Sequence, residues 1–257
     1  MTSPLLQVTE RYSAAKRRLL RQLEELVESG ECRWTVYLRP ESLGANDIGN
    51  VLPSDPALAA AINGAVEAVG QPETGVAIFV CADRTIAVVP PFPIREDVTN
   101  EGADTSPLLE LLAAKLTVGV VLLRLGRYAV GVIQGESLVA SKSGSRYVKN
   151  RHRAGGSSQR RFMRSRDRLI QELFDKACEV SQNVFSPYDK TLDYILMGGE
   201  RHTLRAFTER CDYLHRMESK RLSRVLNVDR PGKNALDGIA YEVWKSRVLV
   251  FEAESEG

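Results

Sequence analysis

The chain has 257 residues, 43% of them apolar and 26% charged, with 11 Pro and 19 Gly. That composition excludes a collagen-like or globally disordered chain and leaves room for one sizeable core or two smaller ones. The net charge of +2 conceals an asymmetry: residues 142–168 hold ten Lys+Arg and one acid, leaving 25 basic and 32 acidic residues elsewhere, a net of −7. A strongly basic segment on an otherwise acidic chain points to a polyanion meeting one face.

The opening residues lack the basic, apolar, small order of a secretory signal. The longest apolar run, Leu116–Leu123, closes at Arg124 and is far short of the ~20 residues that span a bilayer. Cys32, Cys81, Cys178 and Cys211 form no CxxC, and three scattered histidines add no zinc-ligand spacing, so neither metal nor cofactor is expected. Cys81 and Cys178 sit in apolar patterns and read as buried thiols. A cytoplasmic protein without a membrane partner is the expectation.

Along the chain, the spacing of Tyr12, Leu19, Leu20, Leu23, Leu26 and Val27 predicts a helix over 9–29, closed by Gly30. Arg33–Leu38 reads as a strand, 40–56 as a loop and Ala57–Val69 as a short helix. Val76–Cys81 and Thr85–Val89 form a predicted hairpin that Pro90, Pro91 and Pro93 stop. Leu108–Ala114 has helical spacing. Leu116–Leu123, Tyr128–Ile133 and Leu138–Ser141 read as a meander. Residues 142–159, nearly devoid of apolar side chains, read as a long loop, and such a loop inside a compact domain is usually functional.

A helix is then expected from Gln159 or Arg160 to about Gln182, with Phe162, Leu169, Ile170, Leu173, Phe174, Ala177 and Val180 on its apolar face. Arg161, Arg164 and Arg168 share another face. A strand at Leu192–Met197, a turn at Gly198-Gly199, a helix at Arg201–Arg216, a strand at Arg221–Val228, a helix at Asn234–Lys245 and a strand at Val248–Phe251 complete the pattern. Trp34 and Trp244 read as core residues. The predicted fold class is α/β, a mixed β-sheet with flanking helices, plus a helical N-terminal extension over residues 1–70 ahead of a domain spanning 71–257.

The segment Lys142-Ser-Gly-Ser-Arg-Tyr-Val-Lys-Asn-Arg-His-Arg-Ala-Gly-Gly-Ser-Ser-Gln-Arg-Arg-Phe162 combines three properties. Its cations can neutralise phosphates. Gly144, Gly155 and Gly156 let the backbone approach a ligand closely. It ends at a helix N-terminus, where free N–H groups favour an anion or a developing oxyanion. On composition alone it is a nucleic-acid or anion clamp as readily as a catalytic loop. It is neither a P-loop nor a Rossmann fingerprint.

Arg153-Ala-Gly-Gly-Ser-Ser-Gln159, following a meander and preceding an Arg-rich helix, resembles the catalytic loop of the Vms-like release factors. These are peptidyl-tRNA hydrolases of ribosome-associated quality control, similar to the middle domain of eukaryotic and archaeal peptide chain release factors. Lys142–Val148 and Arg160–Phe162 extend the match, which covers roughly residues 70–252. Release factors place Gln directly after two glycines, whereas Ser157 and Ser158 intervene here.

The resemblance implies a release-factor middle-domain (RNase H-like) fold and hydrolysis of the ester joining a nascent peptide to tRNA on stalled large ribosomal subunits. It implies no cofactor and no metal. Gln159 would place the water, because its amide both donates and accepts. Backbone N–H groups at 158–160, Ser158 among them, would hold the oxyanion, and Gly155 and Gly156 would thread the loop beside the CCA end. Arg146, Tyr147, Lys149, Arg151, Arg153, Arg160, Arg161 and Arg164 would contact the acceptor stem or rRNA. Two alternatives stand beside this reading: a CCA-end tRNA nuclease using His152 with Lys149, and a non-catalytic tRNA- or ribosome-binding module. Gln159 as a simple helix cap and Arg161, Arg164 and Arg168 as a solvated face are the bland counterparts.

Overall fold

The computed structural model describes residues 6–45, 48–148 and 157–253, with the backbone alone for 6, 157–160 and 253. In chain order the first elements are β1 (Leu6–Ala14), α1 (Lys16–Ser29), β2 (Cys32–Leu38), α2 (Pro40–Gly44) and α3 (Pro56–Val69). Next come β3 (Val76–Cys81), β4 (Arg84–Val89), β5 (Val98–Glu101) and α4 (Ser106–Ala113). A second set follows: β6 (Thr117–Arg124), β7 (Arg127–Gln134), β8 (Ser137–Ser145), α5 (Ser157–Phe185) and β9 (Tyr194–Gly199). The remaining elements are α6 (Arg201–Arg210), α7 (Asp212–Arg216), β10 (Arg221–Leu226), α8 (Lys233–Glu242) and β11 (Ser246–Ala253). The chain divides into two compact units, one up to Ala114 and from Trp244 onward, the other Lys115–Val243. The division therefore falls at Ala114, whereas the sequence suggests one near residue 70.

The first unit is a six-stranded sheet in the order β1-β11-β4-β3-β2-β5, every pair antiparallel. Alternation along β2 turns Val36 and Leu38 into a core shared with Ile62 and Ala65 of α3, Ile78 of β3 and Phe251 of β11. α1 buries Leu19, Leu23 and Leu26, and Phe92 meets Trp244 edge to face at 5.0 Å. Trp34 is only half buried, its indole N–H donating to Thr99 Oγ1 at 2.8 Å.

This sheet corrects the expected helical extension. Residues 9–14 are strand, because β1 finds a partner in β11, some 240 residues away, which local spacing cannot reveal. The expected loop at 40–56 contains α2 and a 3-10 turn at Gly49–Val51.

The second unit holds the predicted mixed sheet, order β10-β9-β6-β7-β8, with β10, β9 and β6 parallel and β7 and β8 antiparallel. One face carries α5, α6 and α7: Leu173, Phe174, Ala177 and Val180 of α5 pack with Phe207, Leu214, Val121, Val130 and Val132. On the other face Leu236 of α8 lies over Gly131 of β7. The helix expected over 201–216 breaks at Cys211, whose extended ψ of 90° separates α6 from α7.

The cysteines also depart from expectation. Cys32 and Cys81 face each other across β2 and β3, Cys178 of α5 faces Cys211, and both pairs are disulfides. Apolar surroundings hide a thiol and a half-cystine equally well, and the partner lies 49 or 33 residues away.

Candidate active site

The carboxyl ends of β6 and β9 and the end of β8 lie along one edge of the second sheet, since Leu123 is paired with Gly199 and Arg127 with Ser145. Gly198-Gly199 makes the tight strand-to-helix turn. Gly199 sits at φ +137°, and a Cβ there would strike the Leu123 carbonyl, so only glycine fits. Arg124 closes this edge. Its Nε donates to the Val228 carbonyl at 2.7 Å, and its guanidinium lies 3.4 Å from Glu200 and 3.7 Å from Asp229. It thereby ties the ends of β6, β9 and β10 together.

At the same edge β8 runs on to Ser145, so Lys142–Ser145, expected in the loop, belong to the sheet. Their polar side chains hide the strand from a sequence reading. The ladder with β7 holds them, and the Tyr128 ring lies directly over Gly144 where a side chain would otherwise stand. The Arg146 N–H extends the ladder to the Gly126 carbonyl at 2.9 Å. Val148 packs on the core, whereas Tyr147 is 75% exposed. The strand thus delivers one aromatic ring to solvent at the foot of the basic segment.

Glu172 of α5 fixes this foot. Its carboxylate accepts from Arg146 Nη2 at 2.8 Å and from Arg168 Nε at 3.0 Å. The Arg146 guanidinium and then that of Arg168 hold the Glu172 carboxyl below the usual carboxylate range. Sequence reasoning missed Glu172. Its spacing to Arg168 is an ordinary i,i+4 pair, but nothing local signals Arg146, 26 residues earlier.

α5 starts at Ser157, slightly before the expected Gln159, and at 1.5 Å per residue it carries residue 159 about 20 Å along the axis beyond Glu172. Over the stretch 161–172 no side chain is fully buried. Burial begins at Leu173. Arg161 and Arg164 are exposed on this stretch, as is Met163. By helix geometry the N–H groups of residues 157–159 have no acceptor within the helix.

The structure therefore gathers Arg146, Tyr147, Arg161 and Arg164 at the foot and along the rising turns of α5. Lys149, Arg151, His152, Arg153, Gly155 and Gly156 lie outside the described residues, as do the side chains of Ser157, Ser158, Gln159 and Arg160. Among the described residues no group of three or more His, Cys, Asp or Glu could hold a metal, and no helix is long and apolar enough to cross a membrane.

A mixed sheet with helices on both faces, leading through a basic segment into a long, partly unburied helix, makes the second unit an α/β domain. Residues 116–249 match the model of the Actinobacteria/chloroflexi VLRF1 release factor, and the chain belongs to that family. Peptide chain release factor subunit 1 of Thermococcus sibiricus is 30% identical over 178 residues, covering 64% of this chain. The match spans 43% of that relative's length, less than half. Among solved structures, the archaeal translation termination factor aRF1 matches 86% of this chain and 67% of its own at 19% identity, TM-score 0.38. The Vms1 mitochondrial localization core matches 87% and 92% at 12% identity, TM-score 0.41.

Proposed function

We propose that the protein is a peptidyl-tRNA hydrolase that frees nascent peptides from tRNA on stalled large ribosomal subunits. The observation that carries this reading is the placement of residue 159 in the first turn of α5, about 20 Å beyond the Glu172 anchor, in a member of a release factor family. An ester in a narrow ribosomal cavity is reached by a slender projection, not by a sheet face.

In the proposed reaction water adds to the ester carbonyl carbon. The bond to the terminal ribose oxygen then breaks, leaving a peptide carboxylic acid that ionises and a tRNA 3′-hydroxyl. The Gln159 amide orients the water, and a substrate 2′-hydroxyl relays its proton to the departing oxygen. The N–H groups at 158–160, including that of Ser158, hold the oxyanion. Gly155 and Gly156 admit the CCA end. Lys149, Arg151, Arg153, Arg160, Arg161 and Arg164 grip phosphates, and Tyr147 stacks on a base. Arg146, bound to Glu172, holds the foot of the projection and presents its remaining donors to RNA.

The test is release of a labelled peptide from peptidyl-tRNA on isolated large subunits, comparing wild type with Gln159→Ala and weighing the tRNA 3′ end by mass. Release by wild type alone, with full-length tRNA, supports the reading. Equal release by both removes Gln159 from the mechanism. A shortened tRNA supports nuclease chemistry instead, with His152 and Lys149 as the residues to vary next. Binding to the subunit without release leaves a clamp.

A further inference from the structure

The first unit carries a charge arrangement that helix physics does not favour. The first half of α1 holds Lys16, Arg17, Arg18 and Arg21, and its second half holds Glu24, Glu25 and Glu28. Cations therefore stand at the positive end of the helix dipole and anions at the negative end, the reverse of the stabilising order. No acid occupies the first turn, no base the last, and the N-cap Ala15 offers no side-chain acceptor. Arg17 and Arg21 are a like-charge i,i+4 pair and Arg18 and Arg21 an i,i+3 pair, each of which opposes helix formation.

The fold relieves this arrangement only in part. Among the described residues, Arg17, Arg18 and Arg21 enter no ion pair, and all three are exposed. Packing does not demand them either, since α1 is anchored by Leu19, Leu23 and Leu26. Instead two of the four cations are propped on aromatic faces. The Arg18 guanidinium lies 4.3 Å from the Tyr12 ring centroid, and Lys16 Nζ lies 4.5 Å from that of Trp244. Tyr12 is itself pinned by Gln22, whose amide donates to its hydroxyl at 2.6 Å. A ring beneath a guanidinium orders it while leaving its N–H edge for another acceptor. A local rule broken with only partial compensation inside the fold points to a functional surface.

We propose that the amino-terminal half of α1 docks on an RNA phosphate backbone, as a second contact separate from the basic segment ahead of α5. Ordered guanidinium forks match phosphate oxygens. A lipid surface fits less well, because membrane-seated helices insert apolar side chains beside their cations. The exposed large hydrophobic residue of α1 is Val27, at its acidic end. This surface does not depend on ester hydrolysis by the other unit.

The experiment uses the full chain and a fluorescein-labelled RNA hairpin of about 16 base pairs. Binding is read by anisotropy between about 50 and 200 mM salt. The triple variant Arg17→Gln/Arg18→Gln/Arg21→Gln should bind at least roughly tenfold more weakly at the low-salt end. The slope of log affinity against log salt should shrink by about two to three for three lost phosphate contacts. Its melting temperature should stay roughly level, the removed dipole repulsion offsetting the lost Arg18–Tyr12 contact. The corresponding triple Lys variant should keep the salt slope, because the charge is retained, and bind between wild type and the Gln variant, because the forks are lost. Unchanged affinity and slope overturn the proposal, as does a lowered melting temperature, which would make these residues structural. Binding to phosphatidylserine vesicles in place of the hairpin overturns it too.

Discussion

The helix that presents residue 159 is rooted at its far end by one ring. Phe185, the last residue of α5, is fully buried, and its ring lies over Gly119 of β6. A Cβ built on Gly119 would stand 2.9 Å from Phe185 Cζ and 3.1 and 3.2 Å from the two Cε atoms. Carbon atoms rest at about 3.5–4.0 Å, so Gly119→Ala requires the ring to retreat by at least roughly 0.6 Å. Phe185 is hemmed in by Tyr213, at 6.5 Å between centroids, and cannot swing into solvent.

Overpacking of this kind costs about 1–3 kcal/mol, from which the relief of glycine's chain entropy in a strand subtracts about 0.5–1 kcal/mol. A net loss of about 0.5–2 kcal/mol lowers the melting temperature of a unit this size by roughly 2–10 °C. Phe185→Leu alone should also destabilise, by about 1–2 kcal/mol, through the void it leaves. The double variant should be less damaged than the sum by about 1 kcal/mol, because the new methyl occupies the space the ring tip vacates. Far-UV circular dichroism measures these shifts. Both tryptophans, Trp34 and Trp244, belong to the other unit, so their fluorescence separates a local effect from a global one. A neutral Gly119→Ala, or strictly additive single and double variants, would refute the packing argument.

Glu172→Gln should slow peptide release while leaving the unfolding curve nearly unchanged, since the pair it weakens positions the foot of the projection at the surface. Undiminished release would show that Arg146 needs no anchor. In the first unit, burial alone would raise the Asp97 carboxyl. The Arg39 N–H at 2.7 Å, the Ser42 hydroxyl at 2.6 Å and the Arg39 guanidinium outweigh it, and the pKa lies below its ordinary value. Its stabilisation is therefore complete above the unfolded-state value near about 4 and is lost as pH falls through the lower folded-state value. Asp97→Asn should be less stable at neutral pH and flatter in acid; parallel melting profiles for the two proteins would contradict the assignment. Alkylation of the native, unreduced chain should label none of the four cysteines. Labelling of Cys178 and Cys211 after denaturation without reductant would show that α5 is not stapled.

Much of the second unit is legible in the sequence because its strands are continuous apolar runs. Val118–Leu123 and Tyr128–Ile133 are buried on both faces and announce themselves without a partner. The apolar spacing of Leu173, Phe174, Ala177 and Val180 likewise yields the packed half of α5. The first unit resists such reading. Tyr12 stands seven residues before Leu19, a spacing that suits a helix, and a bulge between Val8 and Glu10 interrupts the alternation that would have marked β1. β5, Val-Thr-Asn-Glu, is too short and polar to signal a strand, and only its ladder with β2 makes it one. At the candidate site the cations are visible in the sequence. The carboxylate that organises two of them is not, because a long-range pair leaves no local period.

The placement of β11 has a consequence for biosynthesis. It lies between β1 and β4 in the first sheet, yet its residues follow the whole of the second unit in the chain. As the polypeptide emerges from the ribosome, β1 through β4 appear early but wait with an open slot in their sheet, while Lys115–Val243 is contiguous and can close on itself. The unit that is encoded second is thus free to fold first, and the one encoded first is completed by a strand delivered after it. A released chain ending between Val243 and Ala253 would carry a closed second unit and an unzipped first sheet, whose open edges would invite chaperones or aggregation.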